Sequence, residues 1–217
     1  MRRLVTNTFV TLDGVMQAPG GPDEDPTGGF TLGGWSVNYW DEEMGRIMDD
    51  FMGKPFDLLL GRKTYEIFAA HWPHASEQEG AGPLNAAHKY VATRTLARAD
   101  WKPSTLVRDV PRDVADLKNG NGPWLQVHGS SDLIQSLLEH ELIDEMRVWT
   151  FPLVVGGGKR LFGDGTIPRN MRLTDSTVSS TGVVMATYEF AGAVETGSFA
   201  LETPSEAEVL RRQELEP

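Results

Sequence analysis

The sequence predicts an α/β fold: a largely parallel central sheet flanked by helices, with antiparallel strands at the C-terminal edge. Three observations lead there. Short runs rich in β-branched and aliphatic residues alternate with segments of helical apolar spacing through most of the chain. A continuous apolar run such as "FDLLLG" suits a strand buried on both faces, the condition of a parallel sheet. Near the C-terminus the pattern becomes strand-rich, as antiparallel pairing requires.

The elements follow in order. Leu4–Leu12 ("LVTNTFVTL") has the composition of a strand. Asp13–Gly34 is dense in Gly, Pro and Asp and reads as a long loop, a length usually kept for function. Asn38–Lys54 predicts a helix, with acids clustered near its start and Trp40, Met44, Ile47 and Phe51 at helical spacing. Phe56–Gly61 is a buried strand. Arg62–Trp72 is a helix stopped by Pro73, and His88–Thr95 is the next strand. A short strand, Ser104–Asp109, precedes a helix over "VADLKNGNG". Then come a strand at Trp124–Gly129, a helix at Ser131–Glu141 and a strand at Asp144–Val155. Asn170–Phe190 divides around Ser180–Gly182 into a terminal hairpin.

Composition narrows the function. The 217 residues are 40% hydrophobic, enough for one self-sufficient core. We read residues 1–192 as that domain. Residues 193–217 form an acidic, partly disordered tail, with six glutamates against Arg211 and Arg212 and a short helix over Ser205–Leu215. The net charge of −11 argues against a nucleic-acid surface. No apolar stretch approaches a membrane span or a signal peptide, so the expected setting is cytoplasmic. With no cysteine, thiolate catalysis and zinc–thiolate sites are excluded. "HWPH" is a poor metal motif because Pro73 breaks its helical spacing, and no metal is expected.

Four turns invite an anion. In "VHGSSDL", Gly129, Ser130 and Ser131 lie between a buried strand and a helix, where backbone N–H groups and the helix dipole favour negative charge. A tight turn with an N-cap is the alternative. In "LLLGRKTYE", Gly61 ends a strand and Arg62, Lys63 and Thr64 open a helix. Cations there oppose the dipole unless an anion offsets them. In "VATRTL", Arg94 flanked by Thr93 and Thr95 suits a phosphate held in a bidentate fork. Three such strand ends on one sheet edge suggest a dinucleotide carrying a 2′-phosphate. "VVGGGKRLFG" matches neither the P-loop nor the G-x-G-x-x-G spacing, but Gly156 and Gly157 allow close backbone approach to a ligand.

Taken in order, "TLDGVM", "LLLGRKTYEIFAAHWP", "KYVATRTL", "VHGSSDLIQSLLEHELIDEMRVWTFPLVVGGGKRLF" and "TGVVMATYEF" resemble the dihydrofolate reductase-like superfamily. The resemblance runs over Leu4–Phe190. It is closest to the C-terminal reductase domain of the riboflavin-biosynthesis deaminase–reductase and its stand-alone relatives. It implies a dihydrofolate reductase-like sheet with NADPH across the strand ends, and a homodimer. Gly61, Arg62, Lys63 and Thr64 would grip cofactor phosphates, Thr93 and Arg94 the 2′-phosphate end, and Gly129, Ser130, Ser131 and Asp132 the pyrophosphate. Thr11, Asp13 and Gly14 would lie near the nicotinamide and substrate, with Gln17 on the substrate side. There are departures: no deaminase domain is expected to precede, and Gly20–Gly34 is an insertion expected to reshape the substrate pocket.

The function these features imply is an NADPH-dependent reductase acting on a small heterocyclic or sugar-derived molecule. A pterin, or a pyrimidine of the 5-amino-6-(5-phosphoribosylamino)uracil type, fits the resemblance. Asp13 and then Asp41 are the candidate catalytic acids; Asp13 also fits a simple Asp-Gly turn, and Asp41 a helix cap. The alternative is a nucleotide- or pterin-binding protein without turnover. A hydrolase using Ser130 ranks behind both, because no G-x-S-x-G elbow surrounds it.

Overall fold

The computed structural model describes residues 1–77 and 80–215. Among them, eight strands form one sheet: β1 (Leu4–Thr11), β2 (Phe56–Gly61), β3 (Lys89–Ala92), β4 (Ser104–Val107), β5 (Trp124–Val127), β6 (Glu145–Phe151), β7 (Met171–Val178) and β8 (Val184–Phe190). Their spatial order is β4-β3-β2-β5-β1-β6-β8-β7. The first six in that order are mutually parallel, whereas β8 pairs antiparallel with β6, and β7 with β8. Parallel strands end on the same side, so the carboxyl ends of β1 to β6 share one sheet edge.

The helices are α1 (Glu42–Met52), α2 (Arg62–His71), α3 (Ala81–Ala86), α4 (Val110–Asn119), α5 (Ser131–Glu139) and α6 (Glu206–Leu215). Side-chain alternation assigns them to faces. On β2, Leu59 joins Val114 of α4 and Ile134 and Leu137 of α5 in one core cluster. Its neighbours Leu58 and Leu60 point the other way, to Tyr65 of α2 and Leu84 of α3. A third cluster packs Met44 of α1 with Trp149 and Phe151 of β6. Both faces of the central strands are thus covered, which is why β2 reads as an almost unbroken apolar run and β1 is buried along nearly its whole length despite its Thr and Asn residues. The edge strand β7 is mostly exposed, polar and bulged between Leu173 and Asp175, features that discourage edge-to-edge pairing.

Several expectations shift. The helix expected over Asn38–Lys54 begins only at Glu42. Val37–Tyr39 is a 3₁₀ turn, and Asp41 sits in extended conformation as the N-cap. Trp40 therefore leaves the helix pattern and stacks on Trp149 at 5.9 Å. The helix expected to begin near Val114 starts at Val110, because Pro111 in the first turn lacks only an N–H that has no helical partner there. The strand expected to reach Val155 stops at Phe151, before Pro152. α3 lies in a Gly/Pro-rich stretch where no helix is expected. The long loop after β1 is well tethered: Phe30 and Trp35 are buried, and Trp35 Nε1 donates to Gln17 O at 2.8 Å. In the tail, α6 buries none of its residues.

The core account is testable by urea denaturation. Leu60→Ala, at a position with no exposure, should cost about 2–5 kcal/mol. Leu173→Ala, on the exposed edge strand, should change stability by no more than about 0.5 kcal/mol.

Candidate active site

Two strand-end turns meet at the centre of the sheet edge. Gly61 closes β2 and Gly129 follows β5, and Gly61 N donates to Gly129 O at 3.3 Å. Neither position tolerates a side chain. A Cβ on Gly61 would run into Ser130 Oγ, and one on Gly129 would lie 2.8 Å from Thr64 Oγ1. Gly129 also holds φ +151°, and the Gly129–Ser130 peptide is cis. The glycines bring the N-termini of α2 and α5 side by side. Neither helix has a side-chain cap, so the N–H groups of both first turns face the furrow without such a partner.

The furrow consists of two adjoining clefts. Its outer part, about 540 Å³, runs from the ends of β2 and β5 past the ends of β3 and β4 and is lined by Lys63, Thr93, Arg94, Thr95 and Arg108 among others. Its inner part, about 300 Å³, passes Thr64, Ser130 and Ser131 into an apolar recess of Phe9, Met48, Ile67 and Phe68. Lys63, Ser130 and Asp132 line both. Lys63 and Arg94 make no hydrogen bond or ion pair with any described residue. They are unpaired cations on a groove that also receives two helix N-termini, a composition suited to phosphate.

Other nominated residues have different work. Arg62 spans from α2 to the loop after β3, donating to Glu66 Oε1 at 2.7 Å and Thr95 Oγ1 at 2.5 Å. Thr93 Oγ1 accepts from Leu96 N at 3.0 Å and shapes the turn that carries Arg94. Arg108, which no local signal in the sequence marks, braces that turn by donating to the carbonyls of Thr93 and Leu96. Asp132 sits in the first turn of α5, where its carboxylate suits a hydroxyl donor better than a phosphate.

The "TLDG" and triple-glycine segments are locked to one another. Asp13 accepts from Thr11 Oγ1 at 2.5 Å, from Gly156 N at 2.9 Å and from Val155 N at 3.3 Å. The Thr11 hydroxyl, with these backbone donors, holds the Asp13 carboxyl below its usual range. Arg160 closes the lock by donating to Asp13 O and Gly156 O. Thr11 is buried and spent on Asp13 and Val15 N. Gly14 takes φ +79° in the same turn, and the Gly156 N–H is consumed by Asp13, while Gly157 lines a separate shallow groove beside Phe30. Asp41 is equally occupied. It caps α1 through Met44 N and accepts from Ser180 N and Oγ, both at 2.7 Å. The Met44 bond and the Ser180 hydroxyl hold it low. Neither acid lines the inner cleft, and neither is poised to give up a proton.

Gln17 lines the cleft but acts as a clamp. Its Nε2 donates to the carbonyls of Asp25 and Thr27, and its Oε1 accepts from Lys159 N. Lys159 Nζ then pairs with Asp25 Oδ2 at 2.5 Å. The Gly20–Gly34 insertion is thereby drawn over the inner cleft, and Glu24 and Asp25 enter its wall. Sequence reasoning also passes over His128, set between the rings of Phe51 and Phe68 at 6.2 and 6.1 Å. Burial pushes its imidazole down to about 4, so it is neutral near pH 7. Asn7, on the same wall, has a buried Oδ1 without a partner among the described residues. No group of His, Asp and Glu among the described residues could hold a metal ion, and no described helix is long and apolar enough to cross a membrane.

The fold is dihydrofolate reductase-like, with a furrow bearing Lys63 and Arg94 along its strand ends. More narrowly, the chain belongs to the RibD C-terminal domain family, whose model matches residues 2–185. It is 27% identical over 195 residues to the uncharacterized protein YyaP of Bacillus subtilis (strain 168), covering 88% of this chain and 96% of that one. Its fold is similar to that of a candidate riboflavin biosynthesis protein from Shewanella sp. PV-4 (TM-score 0.61, 22% identity, 88% of this chain and 99% of that one). It is also similar to that of dihydrofolate reductase from Enterococcus faecalis in complex with NADP(H) (TM-score 0.55, 15% identity, 87% and 96%).

The His128 environment has a pH signature. Its folded-state pKa, about 4, lies below the ordinary imidazole value of 6.5, so the unfolded chain binds the extra proton between those limits. The stability that the neutral ring contributes is therefore present above pH 6.5 and lost as pH falls towards 4. Urea midpoints against pH should fall less steeply over that window in His128→Gln than in the parent protein; equal slopes would contradict the assignment.

Proposed function

We propose that this chain is an NADPH-dependent reductase of a small heterocyclic or sugar-derived molecule. The observation that carries the proposal is the convergence of two uncapped helix N-termini and two unpaired cations on one furrow that ends in an apolar recess. The donor set fits the cofactor. Lys63, Thr64, Ser130, Ser131 and the first-turn N–H groups of α2 and α5 would hold the pyrophosphate. Arg94 with Thr95 would hold the 2′-phosphate, on a turn braced by Arg62 and Arg108. Asp132 would accept from a ribose hydroxyl. When bound, NADPH supplies hydride from its dihydronicotinamide ring. Phe9, Met48 and Phe68 would enclose the flat rings and exclude water, and the neutral His128 would add a polar group without charge.

Membership of the RibD C-terminal domain family supports a pyrimidine or pterin as the acceptor, with a C=N or C=O carbon taking the hydride. The commitment of Asp13 and Asp41 to structural bonds favours a second reading, binding without turnover, in which the groove holds a nucleotide and no acid completes the reaction.

Calorimetric titration tests the cofactor assignment. NADPH should bind, and Arg94→Ala should weaken it about 10- to 100-fold, the worth of one charge-assisted hydrogen bond or bidentate pair. NADH affinity should change less than twofold. Failure of the parent protein to bind either dinucleotide would overturn the proposal. Oxidation of NADPH across a panel of dihydropteridines, ribosylaminopyrimidines and small carbonyls then separates turnover from binding.

A further inference from the structure

Resting on the reductase reading, we infer that Glu24, within the Gly20–Gly34 insertion, is the proton donor to the acceptor. A reduction of C=N or C=O needs both a hydride and a proton, and the acids that the sequence nominates are spent elsewhere. Of the carboxyl groups on the inner cleft, three can be compared: Glu24, Asp25 and Asp132. Asp25 is bound by Lys159 Nζ and by the Thr27 hydroxyl and N–H. Burial raises it, but those bonds outweigh burial and keep it ionised. Asp132 lies at the phosphate end, against the N-terminus of α5, where the dipole favours the anion.

Glu24 differs in position and in bonding. It is half-buried on the cleft wall formed by the insertion, and it bonds to no side chain among the described residues. Its Oε2 accepts from Gly20 N at 2.6 Å, which fixes the carboxyl without neutralising it. The segment that carries it is firmly seated. Gly34 N donates to Ala18 O at 2.8 Å, and Ser36 Oγ donates to Pro19 O at 2.8 Å. A side chain at Gly33 would strike the backbone of Gly21 and Pro22, so that turn is packed to contact. Burial holds the Glu24 carboxyl above its usual range, and the neighbouring Asp25 charge adds to this, against the N–H groups of Gly20 and Gly21. The charged groups that share the cleft are Asp25, Lys63, Asp132 and Lys159, with the neutral imidazole of His128.

The step balances with dihydronicotinamide as the reductant. The acceptor carbon would gain a C–H bond as the C4–H bond of the dihydronicotinamide breaks and that ring is oxidised, while the acceptor's π pair moves to nitrogen or oxygen. That atom takes the proton as the Glu24 O–H bond breaks, and the carboxylate left behind is reprotonated from water. The insertion thereby supplies the acid that the first loop and α1 do not.

Carbon-13 NMR of the glutamate side-chain carboxyls, with Glu24 assigned by its absence in Glu24→Gln, tests this on the full chain with and without NADPH. Glu24 should titrate above the exposed glutamates, and its midpoint should move when NADPH binds. A midpoint among the exposed glutamates that NADPH leaves unmoved would overturn the assignment. Glu24→Gln should also reduce every acceptor that the parent protein reduces at least about 100-fold more slowly, the usual contribution of a general acid, with NADPH affinity within twofold. A Glu24→Gln protein as fast as the parent would overturn the assignment while leaving the reductase reading intact. A parent protein that binds no NADPH would remove the reductase reading itself.

Discussion

The site depends on two glycines being able to touch. Parallel strands β2 and β5 are neighbours, so their outgoing turns emerge next to each other and the helices that follow compete for the same space. Any side chain at Gly61 would occupy the place of the Ser130 hydroxyl, and one at Gly129 would press on Thr64. Without Cβ atoms the turns interlock, and the first turns of α2 and α5 point their N–H groups at one furrow. Two helix dipoles would then act on the same anion in the proposed complex, which is more than either supplies alone. The unpaired Lys63, at the start of α2, becomes favourable only in that setting.

A second layer of constraint decides what the furrow can accept. Asp13 bonds β1 to the segment after β6, and Gln17 bonds the insertion to Lys159. Both contacts span more than a hundred residues of sequence, and the Gln17 bond is partly shielded from water, where an unmade hydrogen bond is costly. The Gln17 clamp closes one end of the furrow, where Gln17, Asp25 and Lys159 all enter the wall. The apolar recess of Phe9, Met48 and Phe68 lies behind that wall, a lining suited to flat rings.

Legibility followed the range of the forces involved. β2, α2, α5 and the β7–β8 hairpin could be read from the chain because their patterns are local and their punctuation is strong. The Arg62–Thr64 and Gly129–Ser131 turns could be read too, since a glycine between a buried strand and a helix has a meaning independent of its neighbours. α3 could not, because its helix is short and sits among glycine and proline. The roles of Asp13 and Asp41 were not legible either. Whether a carboxylate is free or spent depends on partners such as Gly156 and Ser180, which are distant in sequence. For the same reason Glu24 looks like one more loop acid until the insertion is folded over the cleft, and Arg108 looks like the end of a strand until it is seen to brace the turn of Arg94.

The central claim is that one furrow, built by the Gly61 and Gly129 turns and extended past Arg94, holds a single phosphate-bearing dinucleotide. Backbone amide shifts of nitrogen-15-labelled protein during titration with NADPH test it most directly. The account predicts large, saturable shifts at Arg62–Thr64, Thr93–Thr95 and Gly129–Asp132 with one common dissociation constant, and little change along β7. Shifts confined to one of those turns, or spread over the edge strand, would contradict it.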